Sequence, residues 1–155
     1  MALVVYTEAK FQLSTKALNL ETDLLKVMLV TNGYIVDPAH TFVTDGGFTA
    51  PGNFEVSGTG YTPGFGENGR QTLVNRTLVR DPATARVRLF GNNIIYPSIN
   101  VGVVGGIVLL REGTATDSDD SNALLIGYNN EGGFPIITDG GELQIRWHIN
   151  GILAF

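Results

Sequence analysis

Residues 64–69, with the sequence GFGENG, match the spacing G-x-G-x-x-G that holds phosphate groups in dinucleotide-binding proteins. In those proteins the glycines follow a strand and open a helix, so the phosphates lie at the helix N-terminus. Here the segment follows a loop rich in Gly and Pro, and the next residues, RQTLV, have the composition of a strand. We therefore expect a flexible surface loop and no cofactor.

Residues 117–120 (DSDD) resemble the first positions of a calcium-binding loop, in which carboxylates supply oxygen ligands. Such a loop has a glycine at its sixth position and a glutamate at its twelfth, where this chain has Asn122 and Tyr128. A solvated acidic loop is the better interpretation, and we predict no metal site.

His148 lies beside Trp147 near the end of the chain, and the only other histidine is His40. No serine that could act as a nucleophile is near His148 in sequence, and the chain has no cysteine. We expect a surface or interface histidine and no catalytic residue. Paired carboxylates for glycoside hydrolysis stay open, because the sequence does not show which acids meet in space.

Arginine is concentrated in a predicted hairpin, whose strands at residues 71–80 and 85–90 are joined by the turn sequence DPAT. Alternation along the second strand places Arg86 and Arg88 on one face. A guanidinium pairs with carboxylates and stacks on aromatic rings, so arginine is common at interfaces. Together with outward-facing residues of the last strand, the candidate interface residues are Arg76, Arg80, Arg86, Arg88, Arg146 and His148.

A solvated polar face is an equally weighted alternative for the hairpin, and DNA binding comes third. The net charge of −5 argues against general binding of nucleic acid. Residues 31–69 carry four acids and no base, residues 70–111 carry six arginines and one acid, and residues 112–139 carry six acids and no base. This order could pair within the chain or between copies.

The elements that must position these residues are mostly strands. One short helix is predicted at residues 7–18, with Thr7 as its N-cap and Phe11 and Leu18 on one face. The predicted strands outside the hairpin are residues 24–30, 94–96, 99–110, 123–128 and 143–150. Leu143, Ile145, Trp147 and Ile149 should face inward on the last of them.

Glycine-rich loops are expected at residues 37–53 and 58–70, the first anchored by Phe42 and Phe48. This pattern predicts an all-β fold, a β-sandwich or jelly-roll-like barrel with one short N-terminal helix and long Gly-rich loops. The 155 residues fit one domain, 1–155, with residues 1–20 as an N-terminal arm or helix. No apolar run reaches membrane-spanning length and the start lacks a basic segment, so we expect a protein that is made and kept in a cytoplasm or assembled there into something larger.

Seven sequence blocks follow one another in a recognisable order. They are LKVMLVT (25–31), EVSGTGYT (55–62), QTLVN (71–75), RVRL (86–89), IYPS (95–98), LLIGY (124–128) and IRWHINGIL (145–153). In this order they resemble a widespread family of small virion proteins of tailed bacteriophages, over most of the chain from residue 20 onward. Two departures are the longer segment before residues 71–73 and Tyr96 in place of a tryptophan.

The resemblance implies a capsid decoration (cement) protein without enzymatic activity, or alternatively a tail or fibre component that binds a host glycan or another tail protein. For a decoration protein it implies a homotrimer that binds the major capsid protein on the surface of the virion, assembled in the host cytoplasm, with neither nucleic acid nor membrane as a partner. A glycan-sized aromatic groove would favour the second reading, and His148 beside a buried carboxylate would favour an enzyme.

Overall fold

The computed structural model describes residues 3–112 and 119–155, and within these ranges the chain forms one α-helix and twelve short strands. The helix α1 is Thr7–Ser14. The strands are β1 (Leu3–Val5), β2 (Leu25–Val30), β3 (Gln71–Thr72), β4 (Thr77–Asp81), β5 (Arg86–Phe90), β6 (Ile94–Tyr96), β7 (Val103–Val104), β8 (Gly106–Arg111), β9 (Leu124–Asn129), β10 (Ile136–Ile137), β11 (Leu143–Ile145) and β12 (Leu153–Ala154).

The largest sheet has the strand order β1-β9-β8-β2-β3, with every neighbouring pair antiparallel. Its central strands β2 and β8 pair over six residues, from Leu25 opposite Arg111 to Val30 opposite Gly106. Both are nearly continuous apolar runs, as expected for strands that are covered on both faces. The buried central strand predicted at residues 24–30 is therefore confirmed.

Three smaller antiparallel sheets accompany the large one: β12-β5-β4, β11-β6 and β10-β7. Leu89, Tyr96, Val104 and Ile145, one from each of β5, β6, β7 and β11, belong to the same cluster of buried side chains as the large sheet. The prediction of an all-β fold with one short helix is thus confirmed. None of the helices in the described ranges has the length and apolar content needed to span a membrane.

The predicted helix at residues 7–18 is too long at its C-terminal end, because α1 ends at Ser14 and Lys16 adopts a left-handed backbone conformation with φ of 64°. Tyr6 is the N-cap, so Thr7 is the first helical residue and caps nothing. Phe11 is exposed whereas Leu18 is buried, so the two do not share one covered face.

The predicted strand at residues 71–80 is two strands in different sheets. Asn75 interrupts it with φ of 52°, a left-handed conformation that asparagine tolerates better than most residues. The predicted strand at residues 99–110 also divides, into β7 and β8 on either side of Gly105. A Cβ on Gly105 would lie 2.2 Å from the Cα of Asn32, so this position requires glycine for close approach of the two backbones.

The final strand is shorter than its alternating pattern indicates, because β11 ends at Ile145. The backbone N–H of Trp147 donates to the side chain of Asn93, and His148 and Gly151 form an isolated bridge across a turn. Ile149 is consequently 86% exposed instead of facing inward. In the first Gly-rich loop, Phe42 packs against the core as expected, but Phe48 is 98% exposed and anchors nothing.

Candidate functional site

Four of the six candidate interface residues lie around one groove with a volume of about 820 Å³. Arg86 and Arg88 come from β5, and Arg146 and His148 come from the segment after β11. The pairing of β12 with β5 and of β11 with β6 brings these two parts of the chain together. We call this surface, with Trp147 between Arg146 and His148, the arginine groove.

Arg88 is fixed in the wall of the groove by partners within the chain. Its Nε and Nη2 donate to Asp81 Oδ2 at 2.8 Å and 2.5 Å, and its Nη1 donates to the carbonyl oxygen of Asn150 at 2.9 Å. Hydrogen bonds from Thr84 and then from Arg88 hold the pKa of the Asp81 carboxyl below its ordinary value. Arg88 therefore joins the hairpin to the C-terminal segment, and its charge is largely balanced by Asp81.

Arg86 and Arg146 are exposed and, among the described residues, take part in no ion pair. The Nε of Arg146 donates to Gln144 Oε1 at 2.8 Å, which orients the guanidinium and leaves its two terminal nitrogens available. His148 is also exposed, and its Nδ1 accepts a hydrogen bond from the backbone N–H of Asn150 at 3.1 Å. The groove thus presents two unpaired guanidinium groups to solvent.

Trp147 forms an apolar part of the groove wall and is half-buried. Its indole N–H donates to the carbonyl oxygen of Asn92 at 2.7 Å, and its backbone N–H donates to Asn93 Oδ1 at 3.3 Å. Phe134, Ile136 and Ile152 line the same groove. The aromatic ring is therefore held in one orientation at a surface that also carries the arginines.

The remaining two candidate residues, Arg76 and Arg80, are not in the lining of this groove. Arg80 is opposite Val87 in the β4–β5 register, so it lies on the hairpin face opposite to Arg86 and Arg88. Arg76 precedes β4 and is partly buried, and this burial lowers the pKa of its guanidinium. The four hairpin arginines therefore do not share a face.

The β4–β5 hairpin is itself unusually exposed. β4 is an edge strand, and its residues 77–80 are all exposed, whichever face of the sheet they occupy. The apolar side chains of Leu78, Val79 and Val87 are 36%, 47% and 37% exposed. An edge strand with exposed apolar side chains is a surface at which another chain can pair or pack.

A buried ionic cluster lies apart from the groove and is centred on Arg70, whose residue is only 1% exposed. Arg70 donates from Nε and Nη2 to Glu55 at 2.8 Å and 2.6 Å, and from Nη1 to Glu112 at 3.2 Å. It also donates from Nη1 and Nη2 to Asp120 at 2.6 Å and 2.9 Å. We call Arg70 and these three carboxylates the Arg70 cluster.

Hydrogen bonding and charge hold the guanidinium of Arg70 in its protonated form. Burial by itself would lower the pKa of the Arg70 guanidinium, but hydrogen bonds to Glu55 and Asp120 outweigh burial and raise it. Lys26 Nζ adds a second cation 3.4 Å from Glu112. The hydroxyl of Tyr61 donates to Glu55 at 2.8 Å and accepts from the Leu29 N–H, and burial followed by the charge of Glu55 raises its pKa.

The sequence did not single out Arg70 as different from the other arginines. The only signal was the acidic, basic and acidic order of charges along the chain, and the Arg70 cluster joins all three of those regions. The internal pairing that this order allowed is therefore present.

The glycine-rich segment at residues 64–69 is a surface loop, but its backbone is tied to the Arg70 cluster. The N–H of Gly64 donates to Glu55 at 3.2 Å, and the N–H of Gly66 donates to Glu112. A two-residue strand, β3, follows the segment instead of a helix. Amides that bind phosphate in a nucleotide site here bind carboxylates of the same chain.

The acidic segment at residues 117–120 is described only in part, since Asp117 and Ser118 lie outside the described residues. Asp119 accepts hydrogen bonds from the N–H and hydroxyl of Ser121, which lower its pKa, and Asp120 binds Arg70. Within the described ranges, no group of three or more His, Cys, Asp or Glu could hold a metal ion.

Comparisons with known proteins found no matching family model, no matching curated protein and no matching solved structure. The function of the chain is therefore inferred from its surfaces and from its own sequence blocks.

Proposed function

We propose that this chain is a structural protein of a tailed-phage virion that decorates the assembled capsid and stabilises it by binding, without catalysing a reaction. The observation that carries this proposal is the β4–β5 hairpin. Its edge strand β4 leaves apolar side chains in solvent, where they contribute little to the stability of one chain. Contact with a second chain would bury them.

Charge supports the same proposal. Only 16% of the residues are charged, against about a quarter in an average soluble domain. Arg70, Arg88 and Arg111 have acidic partners within the chain. Arg80, exposed on the hairpin face opposite to the arginine groove, could pair with carboxylates of a neighbouring copy or of the major capsid protein.

A homotrimer that bridges neighbouring capsid subunits would act through linkage. It binds only the assembled shell, so its binding free energy is added to that shell and not to free subunits. The closed symmetry of a trimer would present three identical surfaces to the lattice. This mechanism needs no bond-making step and no cofactor.

Electron microscopy of the intact particle tests the proposal, because it gives location, stoichiometry and symmetry together. We expect density for this chain on the outer capsid surface, in groups of three. The proposal fails if the chain is found on isolated tails and is missing from heads.

A second candidate, a tail or fibre component that binds a host glycan, is favoured by the arginine groove, which combines a tryptophan with polar side chains. The same microscopy experiment separates the two candidates, since it places the chain on the head or on the tail.

A further inference from the structure

The arginine groove has the size of a small-ligand site. Its volume of about 820 Å³ falls within the range of about 300–1,000 Å³ that such sites occupy. Its lining mixes polar and apolar side chains, so a ligand that is itself partly polar suits it best. The groove is separate from the exposed Arg80 face of the hairpin and from the Arg70 cluster.

Charge within the groove favours an anion. Three arginines line it, and Glu131 is the acidic residue among its lining residues. Arg88 donates hydrogen bonds to Asp81 and to the carbonyl oxygen of Asn150, and these bonds hold its side chain in the wall of the groove. Arg86 and Arg146 have no acidic partner among the described residues, and their guanidinium groups can bind a carboxylate through paired N–H donors.

The uncharged residues of the groove favour a saccharide. Trp147 offers a ring that is oriented by the hydrogen bond from its indole N–H to Asn92, and a pyranose has an apolar C–H face that packs on such a ring. Asn129, Gln144 and Asn150 add groups that can donate to and accept from hydroxyls. An extended acidic peptide would find few backbone partners, because the edge strand β12 in the groove is two residues long.

We infer that the arginine groove binds an acidic saccharide, with Arg86 and Arg146 contacting its carboxylate and Trp147 packing against a sugar ring. The inference goes beyond capsid decoration and depends on the groove alone. It holds whether the chain lies on heads or on tails.

Calorimetric titration of the purified full chain tests this inference with trigalacturonate and sialyllactose as acidic probes. The neutral galactose trisaccharide and hexaglutamate serve as comparisons. We expect at least one acidic saccharide to bind about tenfold more tightly than the neutral one, with an affinity that falls as salt is added. Arg146→Gln should weaken that binding about tenfold, because a charge-assisted contact is lost.

Arg80→Gln is the matched control. Arg80 lies on the opposite face of the hairpin, so this substitution should leave saccharide binding unchanged. Both variants change exposed side chains, so folding is retained and can be checked by circular dichroism. Absence of binding by both acidic saccharides overturns the inference. If hexaglutamate binds as tightly as the acidic saccharides, the groove is a site for acidic peptides and the inference is also overturned. The same holds if Arg146→Gln and Arg80→Gln weaken saccharide binding equally. These outcomes test the groove alone, and electron microscopy of the particle separately decides whether the chain lies on the head or on the tail.

Discussion

The guanidinium of Arg70 donates a hydrogen bond to each carboxylate oxygen of Asp120, with distances of 2.6 Å from Nη1 to Oδ1 and 2.9 Å from Nη2 to Oδ2. Fifty residues separate the two in sequence. With the two bonds to Glu55 and the one to Glu112, all the donor directions of this side chain are engaged. A buried cation of this kind is tolerated because every N–H group has an acceptor. Removing one charge of a buried ion pair destabilises a protein more than replacing the whole pair by apolar side chains does.

Replacing Arg70 should therefore destabilise the chain strongly. Arg70→Met would leave Glu55, Glu112 and Asp120 close together with Lys26 as the nearest described cation. We expect the free energy of unfolding in urea to fall by about 3–5 kcal/mol. Arg80→Met, at an exposed site, should change it by no more than about 0.5 kcal/mol. Similar values for the two variants would contradict a structural role for the cluster.

Stability should decline in alkali through Tyr61. Burial raises its folded-state pKa above the ordinary value of 10.0, so the unfolded chain loses the phenolic proton first. The stabilisation is therefore complete below pH 10.0 and is lost as the pH rises above it, by about 1.4 kcal/mol per pH unit for each such tyrosine.

Tyr61→Phe should make this alkaline decline less steep, by about 1.4 kcal/mol per pH unit, while the other buried tyrosines keep their share. It should cost about 1 kcal/mol at neutral pH, because the bonds to Glu55 and Leu29 disappear. The measurement is urea unfolding at a series of pH values, with tyrosinate absorbance reporting ionisation. Parallel stability curves for the two proteins would show that Tyr61 titrates alike in both states.

Gly60 and Gly102 allow the destabilisation caused by steric overlap to be measured separately from backbone strain. Their φ angles are +81° and +78°, so an alanine at either site is destabilised by about 1–2 kcal/mol through its left-handed backbone conformation. A Cβ on Gly60 would lie 1.9 Å from the carbonyl oxygen of Ser98, whereas one on Gly102 meets nothing within 4 Å. We expect Gly60→Ala to lower the free energy of unfolding by more than about 4 kcal/mol. Equal losses at the two sites would refute the close backbone approach.

Association through the β4–β5 hairpin should be sensitive to Leu78. Leu78→Glu places a charge on the exposed edge strand and should abolish trimers and reduce capsid occupancy at least about tenfold, a change of about 1.4 kcal/mol in binding. Ile35→Glu changes an 82% exposed isoleucine outside the hairpin and should leave both unchanged. Sedimentation velocity and quantitative gels of purified particles measure the two quantities. Unaltered assembly in the Leu78 variant would show that the hairpin is only solvated.

Local pattern predicts the elements whose pairing partners are close in sequence. The turn DPAT joins β4 to β5, and Arg86 and Arg88 alternate with Val87 and Leu89 as expected. The buried strand β2 is also predicted, although its partner β8 is distant in sequence, because a short apolar run that ends at a turn signal is typical of a strand covered on both faces.

Contacts between distant parts of the chain decide what local pattern misses. The alternation after Ile145 continues to Ile149, but Asn93 captures the Trp147 N–H and the backbone turns away. The sequence shows which residues are arginines, but it does not show that those around the groove lie close together. Their proximity depends on the pairing of β12 with β5. The Arg70 cluster is a similar case, since charge order along the chain does not specify which acid meets which base.

The strand β1 lies at one outer edge of the large sheet and pairs with β9 from Leu3 opposite Asn129 to Val5 opposite Gly127. Tyr6 follows it, fully buried, with its hydroxyl 2.8 Å from that of Tyr34. If β1 came away, β9 would offer a row of unpaired backbone groups to strands of other molecules. These few residues therefore keep one side of β9 paired, and an N-terminal fusion that strains β1 would expose that side to strand addition by other molecules.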